Sequence, residues 1–98
     1  MGDIMKKTIH SNPLYITHFS YIGQCEAELI RMTIDLYNGD KNCCGISTSG
    51  GTESIFQALL AYREMGVRRG IKNPNFVVSE TAHPAFRKGA YYLRMEMR

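Results

Sequence analysis

A chain of 98 residues with 44% apolar and 21% charged side chains has the size of one small domain and an ordinary globular balance, which excludes a disordered tail. Its net charge of +3 is mild, and its basic residues are scattered through predicted helix ends and turns with no aromatic-basic motif, so a solvated surface is expected and not a nucleic-acid interface. An odd set of cysteines, Cys25, Cys43 and Cys44, with no C-x-x-C pair and no histidine at ligand spacing, points to reduced thiols and excludes a disulfide framework and a structural zinc site.

Residues 1–23 carry turn chemistry at Ser11-Asn12-Pro13, and the aromatics Tyr15, Phe19 and Tyr21 follow no period, so an extended N-terminal arm is expected. Met1 to Thr8 has charge but no apolar core behind it, unlike a secretory signal, and Lys6 stands where a myristoylation signal wants Ser or Thr. From Gln24 to Tyr37 the positions Cys25, Leu29, Met32 and Leu36 repeat at helical spacing, which predicts a helix with that stripe in the core. Asn38-Gly39 should end it, because both residues tolerate a left-handed turn.

A brief strand is expected around Gly45 to Ser47. A second helix is predicted from Thr52 to Met65, with Ile55, Phe56, Leu59, Leu60 and Tyr62 inward and Gly66 or Gly70 as its stop. The apolar run Phe76-Val77-Val78, bounded by turn residues, suits a buried parallel strand. Pro84 then opens a third helix to about Tyr92, and Leu93 to Met97 begins another strand. Helices alternating with strands make the class α/β. A parallel sheet normally needs more strands than these, so the chain reads as an incomplete part of a larger domain, with an arm over 1–23 and a partial α/β domain over 24–98. No stretch of about 18 apolar residues exists, so no transmembrane segment is expected and the chain alone reads as soluble and cytoplasmic.

Ligands in open α/β sheets collect beyond the carboxyl ends of the strands, and both distinctive segments fall there. One is Ser49-Gly50-Gly51-Thr52, a small-residue turn running into a helix whose unpaired N–H groups and positive dipole end suit an anion, most naturally a phosphate. The bland alternative is a loop with a helix cap. The other is Ser79-Glu80-Thr81-Ala82-His83, where His83 is either a ligand-facing imidazole or a structural one. A Walker loop is excluded because no lysine follows Gly50 or Gly51, and the dinucleotide pattern G-x-G-x-x-G is absent. A serine hydrolase built on Ser49 and His83, with Glu53 or Glu80, lacks the G-x-S-x-G elbow.

The run Cys44-Gly45-Ile46-Ser47-Thr48-Ser49-Gly50-Gly51-Thr52-Glu53-Ser54-Ile55, followed by Ala61-Tyr62-Arg63, Gly70-Ile71-Lys72-Asn73-Pro74 and Ala82-His83-Pro84-Ala85-Phe86-Arg87-Lys88-Gly89-Ala90, resembles the sphingosine-1-phosphate lyase family of pyridoxal-phosphate-dependent group II decarboxylases. With Glu26-Ala27-Glu28-Leu29-Ile30-Arg31-Met32, Asn38-Gly39 and Asn12-Pro13-Leu14 the resemblance covers about residues 11 to 98. It implies the parallel-sheet domain of an aspartate-aminotransferase-type fold and pyridoxal 5′-phosphate as cofactor. It further implies carbon-carbon lysis of phosphorylated sphingoid bases to a fatty aldehyde and phosphoethanolamine, a homodimer, and a cytosol-facing place on the endoplasmic reticulum membrane.

By residue, the resemblance implies that Ser49 and Gly50 shape the turn, that Gly51 and Thr52 hold the cofactor phosphate, and that His83 stacks on the pyridine ring. The imine-forming lysine and the aspartate that pairs with the pyridine nitrogen match nothing in this stretch, so no catalytic residue is assigned and the chain alone is expected to be inactive. Lys88 matches a lysine after the stacking histidine and reads as a surface residue. Tyr15 stands where the family has a histidine near the substrate phosphate; it donates one hydrogen bond but carries no positive charge near neutral pH. The alternatives are a non-catalytic module that pairs with a full-length lyase subunit, or a piece of a related amino-acid decarboxylase.

Overall fold

A computed structural model describes residues 1–15 and 17–98. They form two compact units, Met1–Ser47 and Thr48–Arg98. The boundary expected between residues 23 and 24 falls inside a helix.

The first unit holds α1 (Gly2–Thr8) and α2 (Ser20–Leu36). Helix α1 occupies part of the expected arm, where no apolar period announced it. Its support is local: Asp3 lies in the first turn and Lys6 and Lys7 in the last, matching the helix dipole, and the Thr8 hydroxyl donates to the Ile4 carbonyl at 2.9 Å. The turn chemistry at Asn12-Pro13 is present, with the Leu14 N–H donating to the Asn12 side chain at 2.7 Å.

Helix α2 begins a turn earlier than expected and ends where Asn38 takes a φ of 57° and the Gly39 N–H reaches back to the Ile34 carbonyl at 2.8 Å. Segment 39–47 then runs back along α2. Gly39 lies so near Ile34 that a Cβ would sit 2.7 Å from its Cγ2, and a Cβ at Gly45 would sit 3.3 Å from Ile30 Cγ2. Ser47 reaches Glu26, its hydroxyl donating to the carboxylate at 2.6 Å. The covered stripe of α2 is therefore Ile22, Glu26, Ile30 and Ile34, four residues apart and half-buried. The stripe expected in the core is not covered: Leu29, Met32 and Leu36 are exposed and Cys25 is half-buried, because the returning segment lies on the neighbouring face. No residue described in this unit is fully buried.

The strand expected at Gly45 to Ser47 is absent. A strand requires a neighbour to receive its N–H and C=O groups, and here the Ser47 N–H goes instead to the Glu26 carboxylate at 3.3 Å.

The second unit holds α3 (Gly51–Arg68), β1 (Asn75–Phe76), α4 (Ala85–Leu93) and β2 (Glu96–Met97). The strands are parallel, Asn75 opposite Glu96 and Phe76 opposite Met97, and the ladder is extended by a bond from the Val78 N–H to the Arg98 carbonyl at 3.0 Å. Parallel neighbours need a crossover, and α4 supplies it. Helix α3 runs through Gly66, which is buried, and stops before Gly70, whose φ of 79° is the glycine conformation that the turn requires.

Helix α4 packs against α3. The two helices meet tightly at Gly89, where a Cβ would lie 2.5 Å from Leu59 Cδ1. Leu59, Ala85, Ala90 and Met95 form the buried core, flanked by an edge-to-face pair of Phe56 and Tyr92 with centroids 5.7 Å apart. Of the inward positions expected on α3, Leu59 is buried, Ile55 and Phe56 are half-buried, and Leu60 and Tyr62 are exposed. A single helix covers α3 on one side only, so half of its apolar stripe stays outside.

Candidate functional site

The turn 48–51 delivers the chain into α3 with Gly50 at the N-cap, and among the described residues no side chain caps the helix. Its first N–H groups therefore face outward with the positive end of the dipole. Gly50 is extended, at φ 162°, a conformation open to any residue, so the backbone freedom of glycine is not what this position uses. A Cβ at Gly50 or Gly51 would meet no atom of the described residues within 4 Å, so the small residues keep open the space in front of the helix.

Hydroxyl groups hold the turn together. Thr48 Oγ1 and Ser54 Oγ are 2.6 Å apart, one hydroxyl donating to the other, and both lie 3.3 Å from the Gly50 carbonyl, which accepts from the hydroxyl whose proton is left over. The Ser49 N–H donates to Glu53 Oε2 at 2.7 Å, the reaching-back contact of a carboxylate three residues past the N-cap. Contacts from the Ser49 side chain and then its N–H hold the Glu53 carboxyl below its ordinary value of 4.5. This carboxylate stabilises the start of α3 and opposes an incoming anion.

Ser49 and Thr52 line a hollow of about 440 Å³ together with Glu53, Phe56, Gln57, Lys88 and Tyr92. The Lys88 ammonium lies 5.8 Å from the centre of the Tyr92 ring. Lys88, read from the sequence as a surface residue, is exposed and stands at the rim of this hollow. Its position was hidden because it depends on α4 lying against α3. The role of Glu53 was written in its spacing from the N-cap.

His83 lines a different hollow, of about 500 Å³, with Val78, Ser79, Glu80, Phe86, Arg87 and Met97 among its neighbours, beyond the carboxyl ends of β1 and β2. Its Nδ1 accepts the Ala85 N–H at 3.1 Å, which fixes the ring at the start of α4 and leaves Nε2 free to donate. The structure does not bring His83 into the hollow of Ser49. A serine nucleophile with His83 as base therefore has no geometry here. Tyr15, in the first unit, is exposed and meets His18 edge-on at 6.2 Å.

Uncapped N–H groups, a threonine at the second helical position and open space before them are what a phosphate monoester requires. Over 87 residues, 89% of this chain and 15% of the relative, the sequence is 48% identical to sphingosine-1-phosphate lyase 1 of Rattus norvegicus. The chain is homologous to a segment of the sphingosine-1-phosphate lyases. It is also similar to the lyases of Drosophila melanogaster, with 40% identity over 97 residues covering 98% of this chain and 18% of the relative, and of Saccharomyces cerevisiae, with 36% identity over 90 residues covering 90% and 15%. No protein-family profile matches the chain. The chain thus spans less than a fifth of the length of these relatives. Among the described residues no helix is long and apolar enough to cross a membrane.

Proposed function

We propose that this chain carries the phosphate-binding turn of a pyridoxal-phosphate site in a carbon-carbon lyase that acts on phosphorylated sphingoid bases. The observation that carries the reading is the uncapped start of α3 at Gly50-Gly51-Thr52, within a chain homologous to sphingosine-1-phosphate lyases. When bound, pyridoxal phosphate supplies the electron sink for breaking a carbon-carbon bond. The chain's own residues bind and orient. Ser49 and Gly50 shape the turn, the Gly51 N–H and the Thr52 hydroxyl hold the phosphate, and His83 offers a flat imidazole face. Tyr15 is proposed to donate to the substrate phosphate. The parallel β1–α4–β2 unit supports a place in the larger sheet of an aspartate-aminotransferase-type domain.

The test is calorimetric titration of the chain with pyridoxamine 5′-phosphate and with pyridoxamine, which lacks the phosphate. Preference for the phosphorylated ligand, reduced in Gly51→Val and Thr52→Ala, is expected. Equal binding of the two ligands, or binding of neither, overturns the reading. A second reading, in which the chain pairs with a lyase subunit, is favoured by the exposed α2 stripe of Leu29, Met32 and Leu36. Sedimentation of the chain as a sharp monomer that gains no mass with a full-length lyase overturns it.

A further inference from the structure

Resting on the phosphate-turn reading, we infer that Lys88 is the cation that balances Glu53 at this turn and sets its affinity for a phosphate monoester. The turn has a charge conflict. A dianionic phosphate placed before α3 meets the partial positive charge of the helix end, and also the full negative charge of Glu53, which bonds the Ser49 N–H at 2.7 Å and is held in its ionised form. Backbone dipoles worth about half an elementary charge do not neutralise that sum.

Lys88 is the cationic side chain lining the hollow shared by Ser49, Thr52 and Glu53. Its place there is built into the packing. The next residue, Gly89, is buried where α4 meets α3, in contact with the Leu59 side chain, so the helix carrying Lys88 has little room to move away from the turn. Among the described residues Lys88 forms no ion pair, and its ammonium rests over the Tyr92 ring at 5.8 Å, on the same hollow. The ring holds a cation near the rim without consuming its charge. Lys88 acts here as a positioning and charge-balancing group, with no covalent role.

The test compares pyridoxamine 5′-phosphate with pyridoxamine on the 98-residue chain and its variants, followed by calorimetry and by the phosphorus resonance of the ligand. Lys88→Gln should weaken the phosphorylated ligand by about three- to tenfold and leave pyridoxamine unchanged, as loss of one charge-assisted contact at a solvent-accessible site does. Lys88→Arg should restore most of the affinity, and Glu53→Gln should tighten the phosphorylated ligand alone. Wild-type affinity for the phosphorylated ligand in Lys88→Gln, or an equal loss for both ligands, overturns the assignment while the turn keeps its role. A wild-type chain with no preference for the phosphorylated ligand instead removes the phosphate-turn reading, and the Lys88 assignment with it. Circular dichroism of Lys88→Gln against Lys88→Arg separates a folding defect from a charge effect.

Discussion

The two units have similar lengths and both contain a long amphipathic helix, yet only Thr48–Arg98 has a buried core. In Met1–Ser47, α2 is met by an irregular segment that touches it once per turn, through Ile34, Ile30 and Glu26. In Thr48–Arg98, α3 is met by another helix, and a glycine at the crossing lets Leu59 fill the gap. Apolar residues at helical spacing are therefore insufficient. A second regular surface, close enough to interlock, turns a stripe into a core.

The sharpest way to break this contrast is Leu59→Ala. Removing the side chain at the centre of the second unit should cost about 2–5 kcal/mol, and hydrogen exchange should speed up across 51–68 and 85–93 while 20–36 is unchanged. Equal acceleration in both units would mean that they unfold as one. Gly89→Val tests the crossing from the other side. Overfilling the contact with Leu59 should cost about 1–3 kcal/mol, read as a lower urea midpoint.

Acid should act on the Glu26 link between α2 and its returning segment. The Ser47 hydroxyl, then the Ser47 N–H, hold the Glu26 carboxyl below 4.5, so its contribution is complete above that value and is lost as the pH falls through the lowered one. The Ser47 amide should exchange faster, relative to its intrinsic rate, in that acidic window, and Glu26→Gln should flatten the response. The smallest effect is expected from Leu29→Ala. That side chain is 62% exposed, so stability should move by less than about 0.5 kcal/mol. A larger loss would mean that the α2 stripe is covered in solution.

What the sequence made legible follows the same division. Helices α2 and α3 were readable because their apolar period is long, α4 because Pro84 marks its start, and the stop at Asn38-Gly39 because its chemistry is local. The face that α2 buries was misread by one residue, since Cys25, Leu29, Met32 and Leu36 make the more apolar stripe while the glycines at 39 and 45 decide where the segment can lie. Helix α1 escaped because its support comes from charges and a threonine. At the site, the turn 49–52 and the end position of His83 were legible, whereas the place of Lys88 and the separation of the two hollows depend on the tertiary crossing.

The parallel pair Asn75–Phe76 and Glu96–Met97 has a further consequence. Among the described residues the sheet has two strands and so no interior: each strand is an edge, with one row of N–H and C=O groups turned away from its neighbour. Such a rim accepts any extended segment of suitable register, and the half-buried Phe76 and Met97 add an apolar strip beside it. At high concentration the chain should therefore associate through its strands before its helices melt. A lysine placed on that rim should keep it dispersed.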